Sequence, residues 1–262
     1  MNKTYNFADF INIIRQLRSE NGCPWDREQT HESLKNCLIE EAYEVIEAVN
    51  NKDNENLCEE LGDILLQVAL HTVIAEEKNE FLMTDVINGI STKMIRRHPH
   101  VFGSTDMTEN GGIDPSTVLK NWEEIKSQEK KEKKASEGIL SVPKALPSTI
   151  RAEKVQKKAA RAGLDFKDFE QALDKVYEEL EELKKSRENQ DVAGIEEEFG
   201  DLMFSVVNLS RFLQLNAENS LTNATNKFIN RFVGIERLAE QKSKSLSVLS
   251  DVELDALWGR VK

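Results

Sequence analysis

Two copies of one acidic motif, 138 residues apart, constrain this chain more than any other feature of its sequence. In the first copy, Glu40-Glu41-Ala42-Tyr43-Glu44 is followed after fifteen residues by Glu60-Leu61-Gly62-Asp63. The second copy keeps this spacing and repeats six positions without a gap, which are Glu178, Glu179, Glu182, Glu198, Gly200 and Asp201. Such an internal duplication predicts two structural units of the same kind.

The second half of each motif lies in a segment with the apolar pattern of a buried helix. Within 195–213, a narrow helical stripe carries Glu198, Asp201, Ser205 and Asn208, and apolar residues fill nearly all of the remaining surface. The segment 57–74 repeats this pattern. Unpaired carboxylates on a buried face are costly, so these acids must be protonated, paired with bases or bound to a metal.

The first half of each motif provides partners for that acidic stripe. Residues 179 and 182, like residues 198 and 201, are three apart and share one face of a helix. Four carboxylates converge if the two helices pack antiparallel across a short connection. Like charges 4 Å apart repel by about 4 kcal/mol at an effective dielectric near 20. A hard cation relieves this repulsion, and Mg²⁺, with Mn²⁺ as a substitute, suits oxygen ligands better than zinc does.

Composition and length define the fold class. Charged residues make up 31% of the 262 residues, glycine and proline number only 12 and 5, and long stretches repeat with the 3.6-residue helical period. We therefore predict an almost entirely helical, all-α chain. The repeat and the Gly/Pro-containing stretch 136–147 divide it into an N-terminal domain at 1–135, a linker at 136–147 and a C-terminal domain at 148–262.

Charge and hydropathy argue against several classes of partner. A formal charge of -12 and a pI near 5.0 provide no basic field for a nucleic-acid polymer. No run of eighteen apolar residues occurs, and residues 1–14 lack a signal-peptide core, so we expect a cytoplasmic protein without a membrane partner. The odd cysteine count, without CxxC spacing, predicts free thiols in a reducing compartment.

Each half also carries a basic pair beyond its acidic motif and a later tryptophan. Lys93 and Arg97 follow the first motif, and Lys227 and Arg231 follow the second. An i, i+4 pair of bases points to one helix face, where it can meet phosphate oxygens, although surface cations paired with acids give the same pattern. The tryptophans Trp122 and Trp258 fit either stacking on a base or closing a small helical core.

Together these motifs resemble the MazG family of nucleoside triphosphate pyrophosphohydrolases. The resemblance rests on the duplicated EExxE and ExxD motifs with their KxxxR pairs, and it covers essentially the whole chain. Two further stretches contribute to it, the sequence CPWDREQTH at 23–31 and the sequence RRHPHVFG at 96–103.

The resemblance implies tandem helical-bundle domains of the all-α NTP pyrophosphatase fold, a homodimer, and Mg²⁺-dependent hydrolysis of NTPs or dNTPs to monophosphate and pyrophosphate. Such an activity serves nucleotide-pool house-cleaning. By position, the implied metal ligands of the C-terminal half are Glu179, Glu182, Glu198 and Asp201, and those of the N-terminal half are Glu41, Glu44, Glu60 and Asp63. The implied nucleotide pocket consists of Lys175, Glu178, Lys227, Arg231 and Trp258, with Lys93, Arg97 and Trp122 in the other half.

The chemistry fits these residue types. Hydrolysis between the α and β phosphates needs positive charge on the polyphosphate, an oriented water and stabilisation of the leaving pyrophosphate. Either Glu178 or Glu40 can accept a proton from the water. We assign Glu178, Glu179, Glu182, Glu198 and Asp201 as the catalytic set. The C-terminal half is favoured as the more active one, because Lys175 precedes its acids where the first half has Cys37.

Two rival interpretations come from other protein classes. A ferritin-like di-iron protein needs ExxH on two helices, whereas the third residue after each ligand glutamate here is always Glu or Asp. A non-catalytic nucleotide-binding or regulatory helical dimer, with the acids forming salt-bridged helix faces, remains open.

Overall fold

The computed structural model describes residues 4–103, 117, 118, 122, 125 and 134–261. Every regular element in this part of the chain is a helix, which confirms the all-α prediction. The chain divides into two compact units, Met1–Glu129 and Lys130–Lys262. The domain bounds 1–135 and 148–262 stay a prediction.

Six helices lie in the described part of the first unit. They are α1 (Phe7–Arg18), α2 (Pro24–Glu28), α3 (Lys35–Asn51), α4 (Asn54–Glu77), α5 (Met83–Arg97) and α6 (Pro99–Phe102). The long helices α3 and α4 pack against each other along much of their length. They carry the first acidic motif, so the sequence repeat corresponds to a helical hairpin.

The described part of the second unit contains another six α-helices and a 3₁₀ turn at Leu246–Val248. The helices are α7 (Ala135–Leu140), α8 (Ser148–Arg161), α9 (Phe169–Glu188), α10 (Val192–Phe212), α11 (Ala217–Glu240) and α12 (Asp251–Arg260). Helices α9 and α10 form the hairpin equivalent to α3 and α4, and α8 packs against both α10 and α11.

Local capping and turn residues decide where several helices begin. Helix α3 begins only at Lys35, because Thr30 and Ser33 cap one another and hold 31–34 in a turn. Pro24 opens the short helix α2 at a position where its missing N–H costs nothing. Helix α7 occupies part of the stretch predicted as a linker.

The core of the first unit forms where α1 and the turn before α3 meet the second half of α4. Its buried residues are Ile11, Ile14, Leu34, Ala69, Leu70, Val73, Ile74 and Met83. Two charged pairs clamp α1 to the end of α4 beside this core. Arg15 donates to Glu76 at 2.9 Å, and Arg18 donates to Glu77 at 2.8 Å.

The apolar flanks of the acid-bearing helices are not buried as the sequence pattern suggested. On α10, Phe199, Met203 and Val206 are 55%, 45% and 49% exposed, and they form one stripe at i, i+4 and i+7. The same stripe occurs on α4 at the equivalent positions Leu61, Leu65 and Val68. A helical period identifies an apolar face but does not say whether the same chain covers it.

Two histidines tie the turn before α3 to α4. The Nδ1 atoms of His31 and His71 are 2.8 Å apart, and the rings are nearly coplanar, with centroids 5.1 Å apart. The rings therefore meet edge to edge in one N–H···N hydrogen bond, which requires one ring to be unprotonated at Nδ1. Burial lowers the pKa of His71, and the neighbouring His31 lowers it further. On its other side, the Nε2 of His31 lies 4.0 Å from Glu80.

We predict that the first unit loses stability as the pH falls below about 6.5, the ordinary histidine pKa. Below that pH the unfolded chain protonates His71 more readily than the folded chain does, so protons favour unfolding. Thermal unfolding measured at several pH values between about 7.5 and 5.5 tests this in wild type and in His71→Asn. The variant should have the smaller pH dependence, and His100→Asn is the control that should not change it. Equal slopes in wild type and His71→Asn would contradict the assignment.

Candidate functional site

Both hairpins turn through the same local structure. A residue just beyond the end of each first helix adopts a left-handed conformation, Lys52 with φ of 56° and Gln190 with φ of 57°. The aspartate that follows caps the next helix, because Asp53 accepts from the backbone N–H of Asn56 and Asp191 accepts from that of Gly194. A single left-handed residue followed by an N-cap reverses the chain within a few residues, so the two helices must lie side by side.

The turn places the acids of each hairpin opposite one another. In the C-terminal hairpin, Glu182 and Glu198 are each eight residues from Gln190, and Glu179 and Asp201 are each eleven residues from it. The N-terminal hairpin has the same spacing about Lys52. Because both helices rise by the same amount per residue, equal distances from the turn bring the acids to equal heights. This symmetry is what makes the EExxE and ExxD motifs converge.

In the C-terminal hairpin, ligand oxygens of Glu179, Glu182 and Glu198 all lie within 4.8 Å of one another. Glu179 is buried, and its side chain is only 5% exposed. Desolvation raises the pKa of Glu198, and the charges of Glu182, Glu179 and Asp201 raise it further. Carboxylates held this close repel, so the cluster favours protons or a cation.

A lysine lies against this cluster. The Nζ atom of Lys175 is 2.5 Å from Glu179 and 2.9 Å from Glu178. These hydrogen bonds, that to Glu179 being the stronger, raise the pKa of Lys175, so it is a permanent cation at neutral pH. Lys175 was predicted from the sequence to line the nucleotide pocket, and its contact with Glu179 was not predicted. The i, i+3 and i, i+4 spacing was the signal for this contact.

The N-terminal hairpin builds a similar cluster without a lysine. Ligand oxygens of Glu41, Glu60 and Asp63 lie within 4.8 Å of one another. Desolvation raises the pKa of Glu41, followed by the charge of Asp63 and a hydrogen bond with Glu44. Desolvation also raises the pKa of Glu60, and the negative charge of Glu44 raises it further. The structure thus brings all four predicted acids of this half into one interacting group.

In each unit the arginine of the basic pair lies over the tryptophan. The guanidinium of Arg231 lies 5.6 Å from the ring centroid of Trp258, and that of Arg97 lies 5.3 Å from that of Trp122. Phe228 also packs on Trp258, at 5.6 Å between ring centroids. Lys93 and Lys227 are exposed. Within the described part of the chain, no ion pair joins Lys227 or Arg231 to the acids of the C-terminal cluster.

Across the described ranges of the chain, no helix is both long enough and apolar enough to span a membrane.

Comparison with known proteins places these hairpins in a family. The model for the MazG nucleotide pyrophosphohydrolase domain matches the chain twice, at residues 29–102 and 167–233. Each match contains one complete acidic hairpin. The duplication predicted from the sequence is therefore a duplication of this domain.

Similar proteins match across nearly the whole chain. The "Nucleoside triphosphate pyrophosphohydrolase/pyrophosphatase MazG" of Thermotoga maritima is 45% identical over 256 residues, which are 98% of this chain and 95% of that protein. The "Nucleoside triphosphate pyrophosphohydrolase" of Escherichia coli is 38% identical over 255 residues, which are 96% of this chain and 95% of that protein. The "Uncharacterized protein YabN" of Bacillus subtilis is 45% identical over 261 residues, which are 98% of this chain and 52% of that protein. With both hairpins matched by the family model and with relatives this similar along their length, the chain belongs to the MazG nucleotide pyrophosphohydrolase family.

Proposed function

We propose that this protein hydrolyses nucleoside triphosphates, ribose or deoxyribose, to the monophosphate and pyrophosphate, and so clears unwanted nucleotides from the pool. The observation that carries the proposal is the carboxylate cluster that each family-matched hairpin builds across its two helices. Two relatives that match nearly the whole chain are named as nucleoside triphosphate pyrophosphohydrolases, which supports the same reaction here.

The donor set of the clusters fits a hard divalent cation. All donors are carboxylate oxygens, and they are gathered closely enough for one ion to contact several of them. We infer that Mg²⁺, or Mn²⁺ in its place, is held by Glu179, Glu182, Glu198 and Asp201 in the C-terminal unit, and by Glu41, Glu44, Glu60 and Asp63 in the N-terminal unit. Bound there, the ion supplies Lewis acidity toward phosphate oxygens and lowers the pKa of water.

We infer that side chains other than the acids bind the phosphates and the base of the nucleotide. We infer that Lys227 and Arg231, on consecutive turns of α11, meet phosphate oxygens and offset the charge of the leaving pyrophosphate. Trp258 offers an aromatic face to the base, and Arg231 already lies against that face. Lys93, Arg97 and Trp122 take the equivalent roles in the N-terminal unit.

A carboxylate beside the cluster can take the proton of the attacking water. Glu178 is exposed and is held by Lys175 at 2.9 Å, next in sequence to the buried Glu179. A solvent-accessible carboxylate at this position can orient a water and accept its proton. Glu40 is the corresponding residue in the N-terminal unit. The C-terminal unit, which has Lys175 in addition, is the one we propose as the more active.

The exposed apolar stripes support a homodimer. Phe199, Met203 and Val206 would leave an apolar strip in water on a helix whose other face bears the acids. Burial of such a strip by a second copy is favourable in proportion to the apolar area removed from water. The three free cysteines and the proposed substrate class suit the reducing cytoplasm.

We expect Glu179→Gln to abolish most pyrophosphate release with Mg²⁺. The loss should exceed the roughly 10–100-fold that removal of an outer-shell partner costs, because the substitution removes a buried ligand. The assay is pyrophosphate release from a panel of NTPs and dNTPs by the full-length chain. Glu181→Gln, an exposed position on the same helix paired with Lys184, is the matched control and should retain activity.

The same assay on Glu41→Gln separates the two units. Retained release in Glu41→Gln and loss in Glu179→Gln would locate turnover in the C-terminal unit, whereas equal partial losses would mean that both units work. If wild type releases no pyrophosphate from any nucleotide with Mg²⁺ or Mn²⁺, the enzyme proposal is wrong and a non-catalytic nucleotide-binding dimer is left.

We further expect a dimer in solution, measured as molar mass by light scattering after gel filtration. Met203→Glu should shift the mass toward the monomer, because it places a charge in the middle of the proposed apolar contact. Leu140→Glu changes a leucine that is 81% exposed and lies outside the stripe, so it should leave the dimer intact. A monomeric wild type would rule out this assembly.

A further inference from the structure

The two acidic hairpins differ at one position beside their clusters. With the offset of 138 residues, Lys175 of α9 corresponds to Cys37 of α3, whereas the four proposed ligand acids are identical in type in the two units. Both residues lie one helical turn before the first ligand glutamate, so they occupy equivalent places. The structure therefore contains a natural comparison of the same site with and without a built-in cation.

In the C-terminal unit an ammonium group lies against the buried glutamate of the acidic cluster. Lys175 Nζ is 2.5 Å from an oxygen of Glu179, whose side chain is 5% exposed, and the lysine side chain itself is 33% exposed. A buried carboxylate needs such a partner or a metal. Lys175 also binds Glu178, so it fixes the start of the motif as well as its buried ligand.

In the N-terminal unit the equivalent Cys37 is half-buried and carries no charge that could serve this purpose. In the described portion of this unit, no ion pair reaches Glu41, Glu44, Glu60 or Asp63. Among the residues that the structure describes, the four carboxylates of this unit thus have no paired counter-charge, compared with four carboxylates and one ammonium group in the C-terminal unit. A free divalent cation is attracted more strongly to the uncompensated set.

We propose that Lys175 is a positioning residue that serves as the resident counter-ion of the C-terminal cluster. It holds Glu179 in place and weakens the binding of free divalent cations, so this site takes up its cation mainly together with the nucleotide. The N-terminal site, which has Cys37 instead, binds the free cation without nucleotide. When the cation and nucleotide enter the C-terminal site, Lys175 leaves Glu179 and turns to the phosphate oxygens. This inference rests on the proposed function.

The test is Mn²⁺ binding to the full-length chain in the absence of nucleotide, measured by calorimetry. The first background is the double variant Glu41→Gln/Glu60→Gln, which removes the N-terminal site so that only the C-terminal site is titrated. The second background is the double variant Glu179→Gln/Glu198→Gln, which removes the C-terminal site so that only the N-terminal site is titrated. In the first background, Lys175→Met should tighten Mn²⁺ binding about tenfold, the effect of one unit charge near a divalent cation in a high dielectric. In the second background, Cys37→Lys should weaken it about tenfold.

Lys175→Arg separates the counter-ion role from a merely structural one. It keeps the charge, so Mn²⁺ should bind as weakly as to the parent background, whereas Lys175→Met should bind it more tightly. Should Lys175→Met fail to fold by thermal unfolding, Cys37→Lys still decides, because that variant adds the counter-ion to the other site. Unchanged or weaker Mn²⁺ binding in Lys175→Met, or unchanged binding in Cys37→Lys, would overturn the inference.

A second readout separates this inference from the proposed function. One outcome is that wild type releases pyrophosphate while substitutions at residues 175 and 37 leave the Mn²⁺ affinity unchanged. That result would reject the counter-ion role and leave the enzyme proposal in place. With Mg²⁺ and nucleotide together, Lys175→Met should raise KM for the nucleotide more than it lowers kcat, because the lost ammonium no longer meets the phosphates. A fall in kcat alone would contradict its transfer to phosphate.

Discussion

The electrostatic repulsion between carboxylates across each helical hairpin is the constraint on which the rest of this structure depends. The fold forces the acids together because the left-handed turn residues, Lys52 and Gln190, lie midway between them. A turn longer by one residue on one side would rotate one helix by about 100° relative to the other and disperse the acids. The site is thus an outcome of turn register as much as of acidic composition.

The two units differ in the residue that lies beside these carboxylates. In the C-terminal unit, Lys175 contacts the buried Glu179 and offsets part of the charge. In the N-terminal unit, desolvation and mutual repulsion raise the pKa values of Glu41 and Glu60, as they do that of Glu198, but no base contacts the acids within the described residues. Duplication of the domain therefore preserved the ligand acids while the balance of charge around them diverged.

The helices that carry the acids also expose an apolar stripe on the face away from the acids. The stripes of Leu61 on α4 and Phe199 on α10 are equivalent in the two units, and both are exposed within the chain. The sequence pattern indicated these faces correctly as apolar. It could not say whether the chain itself covers them, because periodicity records which residues share a face and not what packs on it.

The sequence by itself determined the helical class, the duplication, the family resemblance and the acids that meet, since spacing along a helix fixes which residues share a face. Only the tertiary structure decided how deeply Glu179 is buried and the bond between His31 and His71. The histidines are 40 residues apart in sequence, and neither has a local pattern that names its partner. Such contacts depend on how packed helices bring distant side chains together, and a one-dimensional period does not contain that information.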